Sequence, residues 1–355
     1  MILLLLNLPH LMREKTMRNN IFAVIATYLL YGAIVAIIGY AIISIVLKPQ
    51  NPLINAEIPQ STIDWFNGHS IDSTDFGGIY DTVARDSTQW VKYDDIDSML
   101  CLEDEYFIFH YSAQDSMAER NKALVCQRYA HAAIPKGELV MKNYPYPNQL
   151  NGRKLPIYLA NTEEDFRSIC QQLGHGDPGT WAIGLYCFRY GGDKVYTDGI
   201  IISPRAWTVP DNAINTQTED KDLQQTLWHE MNHFMYFTNW DFTQTSEPCL
   251  WFTEGLAEYF AENYDRLDEV GNYNRLSLTD DFKGRGNTEY WAGLSAYLCL
   301  EQQHGKANVY RVIQTSYSNS IDESLSQVMP GENLKSWDLE WHTFMKNNEY
   351  RKYKE

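Results

Sequence analysis

The feature that most constrains this chain is a pair of histidines, His229 and His233, with Glu230 directly after the first. Side chains four residues apart lie one above the other on a helix, so both imidazoles could reach one metal ion. Glu230 projects about 100° around the helix from His229, where it could hold a metal-bound water and accept its proton. The alternative interpretation is a buried helix with two structural histidines. The helix itself is predicted by an apolar stripe that recurs every four residues, namely Leu223, Leu227, Met231 and Met235.

A second acidic segment follows about twenty residues after His233 and contains Glu254 and Glu258. Catalytic zinc commonly takes three protein ligands and a water, and two histidines with one glutamate are a common set. Glu254 is the predicted third ligand, because a carboxylate among apolar neighbours needs a positive partner. Its helix is predicted to start near Ser246, with Pro248 in the first turn. Glu258, one turn on, is predicted to bond the far nitrogen of a ligand histidine, or else to be a solvated acid.

These motifs resemble those of the gluzincin zinc metallopeptidases, specifically the peptidase-MA-like group, whose relatives include thermolysin and the bacterial collagenase catalytic domains. The resemblance rests on H-E-x-x-H at residues 229–233 and W-x-x-E-G-x-A-E-Y at residues 251–259, and it covers roughly residues 103–346. It implies an α+β, zincin-type metallopeptidase domain, built from a mixed sheet and a helical subdomain. It further implies Zn²⁺ as the cofactor, and a strand at residues 199–203 that lies at the sheet edge and pairs with extended substrate. An ordinary core strand is the alternative for that segment.

The resemblance also implies the reaction, which is hydrolysis of a peptide bond by a zinc-activated water with Glu230 as base. The partner is then a peptide or protein substrate. The G-A-M-E-N strand of related aminopeptidases is absent from the sequence, which favours an endopeptidase. Tyr290 is the first candidate to stabilise the oxyanion, Tyr297 is the second, and His304 could serve the same role. Two alternatives stay open: an inactive peptidase-like binding module and a non-proteolytic zinc hydrolase.

The N-terminal part predicts a membrane anchor. Residues 21–47 form a run of 27 residues without a charged side chain, and about 20 apolar residues cross a bilayer. Because Arg13, Lys15 and Arg18 precede this run, the positive-inside rule places residues 1–20 in the cytoplasm and the rest outside. The alternative is a signal peptide that is removed. We therefore expect a single-pass protein of the plasma (inner) membrane that contacts the lipid bilayer through residues 21–47.

Composition completes the predicted organisation. Residues 48–100 are polar and contain Pro49, Pro52 and Pro59, which predicts a stalk before a peptidase domain at residues 101–350. The net charge of −17 argues against nucleic acid as a partner. Six cysteines follow the anchor, and an exported domain would meet an oxidising compartment. We therefore expect at least two disulfides, with Cys170–Cys187 and Cys249–Cys299 as the suggested pairs, although six cysteines allow about 15 pairings.

Overall fold

The fold is taken from a computed structural model, which describes residues 96–114, 116–142, 154–179, 181–191, 194–241, 243–280, 282 and 287–354. The strands are β1 (Leu100–Glu103), β2 (Phe107–Tyr111), β3 (Leu155–Leu159), β4 (Gly184–Gly191) and β5 (Lys194–Ile202). The longer helices of the first half are α1 (Ser116–Met141), α2 (Glu163–Gln172) and α3 (Lys221–Asn239). Those of the second half are α4 (Leu250–Ala261), α5 (Thr288–His304), α6 (Lys306–Thr315), α7 (Ile321–Val328) and α8 (Leu334–Lys346).

The strands form one mixed sheet in the order β1-β2-β3-β5-β4. The three central strands, β2, β3 and β5, run parallel to one another. The two edge strands are antiparallel to the strands they pair with, β1 to β2 and β4 to β5. Every residue of β3 is buried, and Ile200, Ile201 and Ile202 of β5 are fully buried as well. Continuous apolar runs of this kind are typical of strands covered on both faces.

The edge of the sheet next to α3 is β4, and this corrects the prediction for residues 199–203. Residues 199–202 belong to β5, which lies between β3 and β4 and pairs with both. β4 and β5 are separated by only two residues along the chain, so the hairpin partner of β5 occupies the edge. The isoleucine run at residues 200–202 fits this internal position, which was the alternative interpretation.

The motif helix α3 is the element that joins the sheet to the helical half. Its first turn is capped by Asp220, whose Oδ1 accepts the backbone N–H of Leu223 at 3.2 Å. The predicted apolar stripe, Leu223, Leu227, Met231 and Met235, has no solvent exposure. α3 packs on β4 and β5 with one side and against α1 and α4 with others. His229 and His233 lie on the face of α3 opposite the apolar stripe, as the helical period requires.

The predicted fold class and location are corrected by these observations. No helix in the ranges given above is long and apolar enough to cross a membrane. The predicted anchor at residues 21–47, the tail before it and most of the predicted stalk lie outside the described residues. What the structure shows is an α+β fold with a mixed sheet and helices. The predicted zincin-type domain behind a transmembrane helix is not supported in that form, and neither is a single-pass protein of the plasma membrane.

The predicted domain limits at residues 101 and 350 stay a prediction. β1 starts at Leu100, and a 3₁₀ helix at Glu349–Tyr353 follows α8. The six cysteines, all among the described residues, are not joined in disulfides, and five of them are buried. Cys170 and Cys187 lie in one hydrophobic cluster beside β3 and α2. The suggested disulfides stay a prediction, which a count of alkylatable thiols in unreduced protein would decide.

Candidate metal centre

Three predicted ligands converge on one point. The Nε2 atoms of His229 and His233 are 3.0 Å apart, and Oε2 of Glu254 is 3.1 Å from the first and 3.4 Å from the second. A tetrahedral zinc ion with bonds of about 2.0–2.1 Å would hold its ligand atoms roughly 3.3–3.4 Å from one another. The three separations lie within about 0.4 Å of that spacing, so these residues could hold one metal ion, and imidazole nitrogen and carboxylate oxygen are typical zinc donors.

A close crossing of α4 and α5 fixes the position of Glu254. A Cβ atom added to Gly255 would lie 2.3 Å from the backbone of Gly293, and one added to Gly293 would lie 2.1 Å from the carbonyl oxygen of Trp251. No side chain fits between the helices here, so both positions require glycine. Glu254 directly precedes one of these glycines, and Tyr290 lies one turn before the other. The crossing thus sets both side chains relative to α3.

Glu258 is placed beside the far nitrogen of a ligand histidine. Its Oε1 is 3.5 Å from Nδ1 of His229, and it also accepts the Nε–H of Arg266 at 3.0 Å. A carboxylate at Nδ1 favours the tautomer that carries its proton there, which leaves the Nε2 lone pair for a metal. Arg266 lies in a 3₁₀ helix (Tyr264–Glu269) that the sequence suggests to be loop. The need of a buried acid for a positive partner indicates that some cation lies nearby, but not which one.

The electrostatics of the site favour a divalent cation. Burial would lower the pKa of His229, but Glu258 and Glu254 outweigh it and raise this pKa well above its usual value. Burial would raise the pKa of Glu254, but His233 and His229 hold it far below the ordinary range. Glu254 and Glu258 bring two carboxylates to the histidines, and the guanidinium of Arg266 is shared between Glu258 and Glu269, so it does not neutralise them. A divalent ion would balance them and would displace the histidine proton as it bound.

The proposed base, Glu230, lies on the side of α3 that faces β4. Its carboxylate is buried, and the backbone of Tyr186 lies close enough to lower its pKa. Burial raises the pKa of Glu230, against the opposing effect of His229 and His233. A buried carboxylate with a raised pKa, next to a group of metal-type ligands, has the properties of a general base or acid.

Of the three candidates for the oxyanion, the structure places Tyr290 beside the ligands. Its ring centroid is 5.9 Å from that of His229, and burial followed by the charges of Glu254 and Glu230 raises its pKa, so the hydroxyl keeps its proton. Tyr297 is fully buried and donates to the carbonyl oxygen of Phe252 at 3.2 Å.

His304, the third candidate, lies fourteen residues along α5 from Tyr290, which is roughly 21 Å of helix. It forms an ion pair with Glu340 at 3.0 Å and, with Glu332, a second group of donors within 4.8 Å of one another. These side chains are all partly exposed.

The chain matches no protein-family model and no curated protein. These comparisons identify no family, so the predicted relation to gluzincins stays a prediction.

Proposed function

We propose that this protein is a zinc-dependent hydrolase of peptide bonds, with His229, His233 and Glu254 as ligands and Glu230 as base. The observation that carries the proposal is the triangle of donor atoms at 3.0, 3.1 and 3.4 Å. A buried carboxylate next to this triangle supplies the proton acceptor that hydrolysis needs. The resemblance to the peptidase-MA-like gluzincins supports the same conclusion from the spacing of the motifs.

Each residue of the site has a distinct role in the proposed reaction. Zinc bound to the three ligands would polarise the scissile carbonyl and lower the pKa of a water to about 7. Glu230 accepts the proton of the attacking water on its carboxylate and passes it to the leaving amine. The hydroxyl of Tyr290 donates a hydrogen bond to the oxygen of the tetrahedral intermediate. Glu258 and Arg266 hold the imidazole of His229 in the tautomer that keeps Nε2 free.

The position of β4 supports a polypeptide substrate and cleavage within the chain. An edge strand presents backbone N–H and C=O groups to which an extended peptide can add as a further strand. β4 lies at the sheet edge directly beside Glu230, so a peptide paired there would pass the proposed base. Such pairing does not need a free peptide terminus, and this is why we propose an endopeptidase.

The test combines metal analysis with a digest of casein and of a quenched peptide pool. We expect about one zinc per chain and cleavage of internal peptide bonds. His233→Ala and Glu254→Ala each remove a ligand, so metal and activity should fall together. His304→Ala is the matched control and should keep both. Purified protein without stoichiometric metal would contradict the proposal. A metal-loaded protein that cleaves no peptide would instead support a binding module or a hydrolase of another bond.

A further inference from the structure

We propose that Gly184 is a positioning residue for the base, because the missing side chain at this point of β4 leaves the space that the Glu230 carboxylate occupies. The inference rests on the proposed function, in which Glu230 takes the proton. It assigns a role to a residue outside both sequence motifs.

The register of the hairpin determines which backbone groups of β4 face the helix. The carbonyl oxygen of Ile183 accepts the N–H of Ser203 at 3.0 Å, so Ile183 turns its polar groups towards β5. Backbone groups alternate along an antiparallel strand, and residues 184 and 186 therefore turn theirs away from β5. The N–H of Tyr186 points outward in this way, and the backbone of Tyr186 lowers the pKa of Glu230. The carboxylate of the base thus lies at the edge of the sheet.

The space beside that carboxylate is the second part of the argument. A Cβ atom at Gly184 would lie 2.8 Å from Oε1 of Glu230, 2.9 Å from its Cγ, and 2.8 Å from Cγ2 of Thr226. Nonbonded heavy atoms pack at about 3.5–4.0 Å, so even one methyl group would overlap the carboxylate. The φ of Gly184 lies outside the left-handed region, so the backbone alone does not require glycine there. The requirement is for room next to Glu230.

Alanine at this position should therefore act on the base. The carboxylate would have to move by at least ~0.7 Å, the difference between 2.8 Å and ordinary contact. This shift would move the carboxylate away from the position it takes beside the backbone of Tyr186. A displacement of about 1 Å in a reacting group costs on the order of 10² in rate. For Gly184→Ala we expect kcat to fall roughly 10- to 100-fold, with KM and bound zinc nearly unchanged.

The experiment measures kcat, KM, zinc content and thermal unfolding for the full chain, with one peptide that the parent cleaves. Gly176→Ala is the matched control, because a Cβ atom there meets nothing within 4 Å. Adding Thr226→Ser to Gly184→Ala removes the second overlap and keeps the one with Glu230. The double variant should fold at least as well as Gly184→Ala, and its kcat should stay low. In a Glu230→Asp background, whose carboxylate is one methylene shorter, Gly184→Ala should cost little further rate.

Three results would overturn the role of Gly184: a Gly184→Ala variant with the kcat of the parent, a full recovery of rate by Thr226→Ser, or a loss of zinc in proportion to activity. An equal loss of rate in the parental and Glu230→Asp backgrounds would also count against it, because independent sites are additive. These outcomes differ from a failure of the proposed function, which would show as a parent that cleaves no peptide or as a fully active Glu230→Gln variant.

Discussion

Gly293→Ala tests the close crossing of α4 and α5, on which the placement of Glu254 depends. The new Cβ atom would lie 2.1 Å from the carbonyl oxygen of Trp251 and 2.6 Å from Cα of Gly255. Both are backbone atoms, so no side-chain rotation relieves the overlap, and the helices must separate by more than about 1 Å. Overpacking typically costs about 1–3 kcal/mol and occasionally more, and an overlap this close with backbone atoms lies at the upper end, about 3 kcal/mol. Alanine returns about 1 kcal/mol of helix propensity, and the expected net loss of unfolding free energy is about 2 kcal/mol or more.

Urea unfolding of the zinc-loaded proteins measures this loss as a lower midpoint at an unchanged slope. Gly176→Ala, with open space around the new methyl group, should change the unfolding free energy by less than about 0.5 kcal/mol. Because Glu254 directly precedes Gly255, Gly293→Ala should also weaken metal retention. A Gly293→Ala variant as stable as the parent would refute the argument that this crossing has no room for a side chain.

Three further variants each test one side chain, two of them at the candidate metal centre and one in the sheet. Glu258→Gln should weaken zinc affinity roughly 10- to 100-fold in a chelator competition, and an unchanged affinity would remove Glu258 from the site. Tyr290→Phe should lower kcat roughly 10²- to 10³-fold with zinc retained, whereas Tyr297→Phe, the control, should keep its rate. Burial lowers the pKa of His110 from 6.5 to about 4. Between these two pH values the imidazole is protonated in the unfolded chain and neutral in the folded chain. The free energy of unfolding should therefore fall by about 3 kcal/mol between pH 6.5 and pH 4. His110→Phe should remove this part of the pH dependence in urea titrations. A variant with the same pH profile as the parent would contradict the prediction.

The residues of the centre that lie on one helix could be predicted because helical spacing is local. The i, i+4 relation of His229 and His233 places both side chains on one face whatever the rest of the chain does. The buried stripe that begins with Leu223 follows from the same period, and in the structure all four of its residues have no solvent exposure. The predicted start of α4, near Ser246, is wrong. The helix begins at Leu250, with Cys249 as its N-cap, so Pro248 precedes the helix instead of lying in its first turn.

The contributions of Gly184 and Arg266 could not be predicted, since both depend on packing between distant segments. Gly184 is 46 residues from Glu230 in the sequence and meets it only because β4 lies at the sheet edge. Which strand of a hairpin becomes the edge depends on the pairing of the whole sheet, and the composition of residues 199–203 carries no information on it. Arg266 reaches Glu258 from a 3₁₀ helix whose sequence is typical of a loop.

The central claim is that Glu230 acts as the base at a metal held by other residues. Glu230→Gln keeps the size of the side chain and removes only its ability to accept a proton, so its zinc content by elemental analysis should equal that of the parent. Turnover of a quenched peptide, measured on the same preparation, should fall by a factor on the order of 10² to 10⁴. A Glu230→Gln protein that holds its zinc and cleaves peptides at the parental rate would contradict the account.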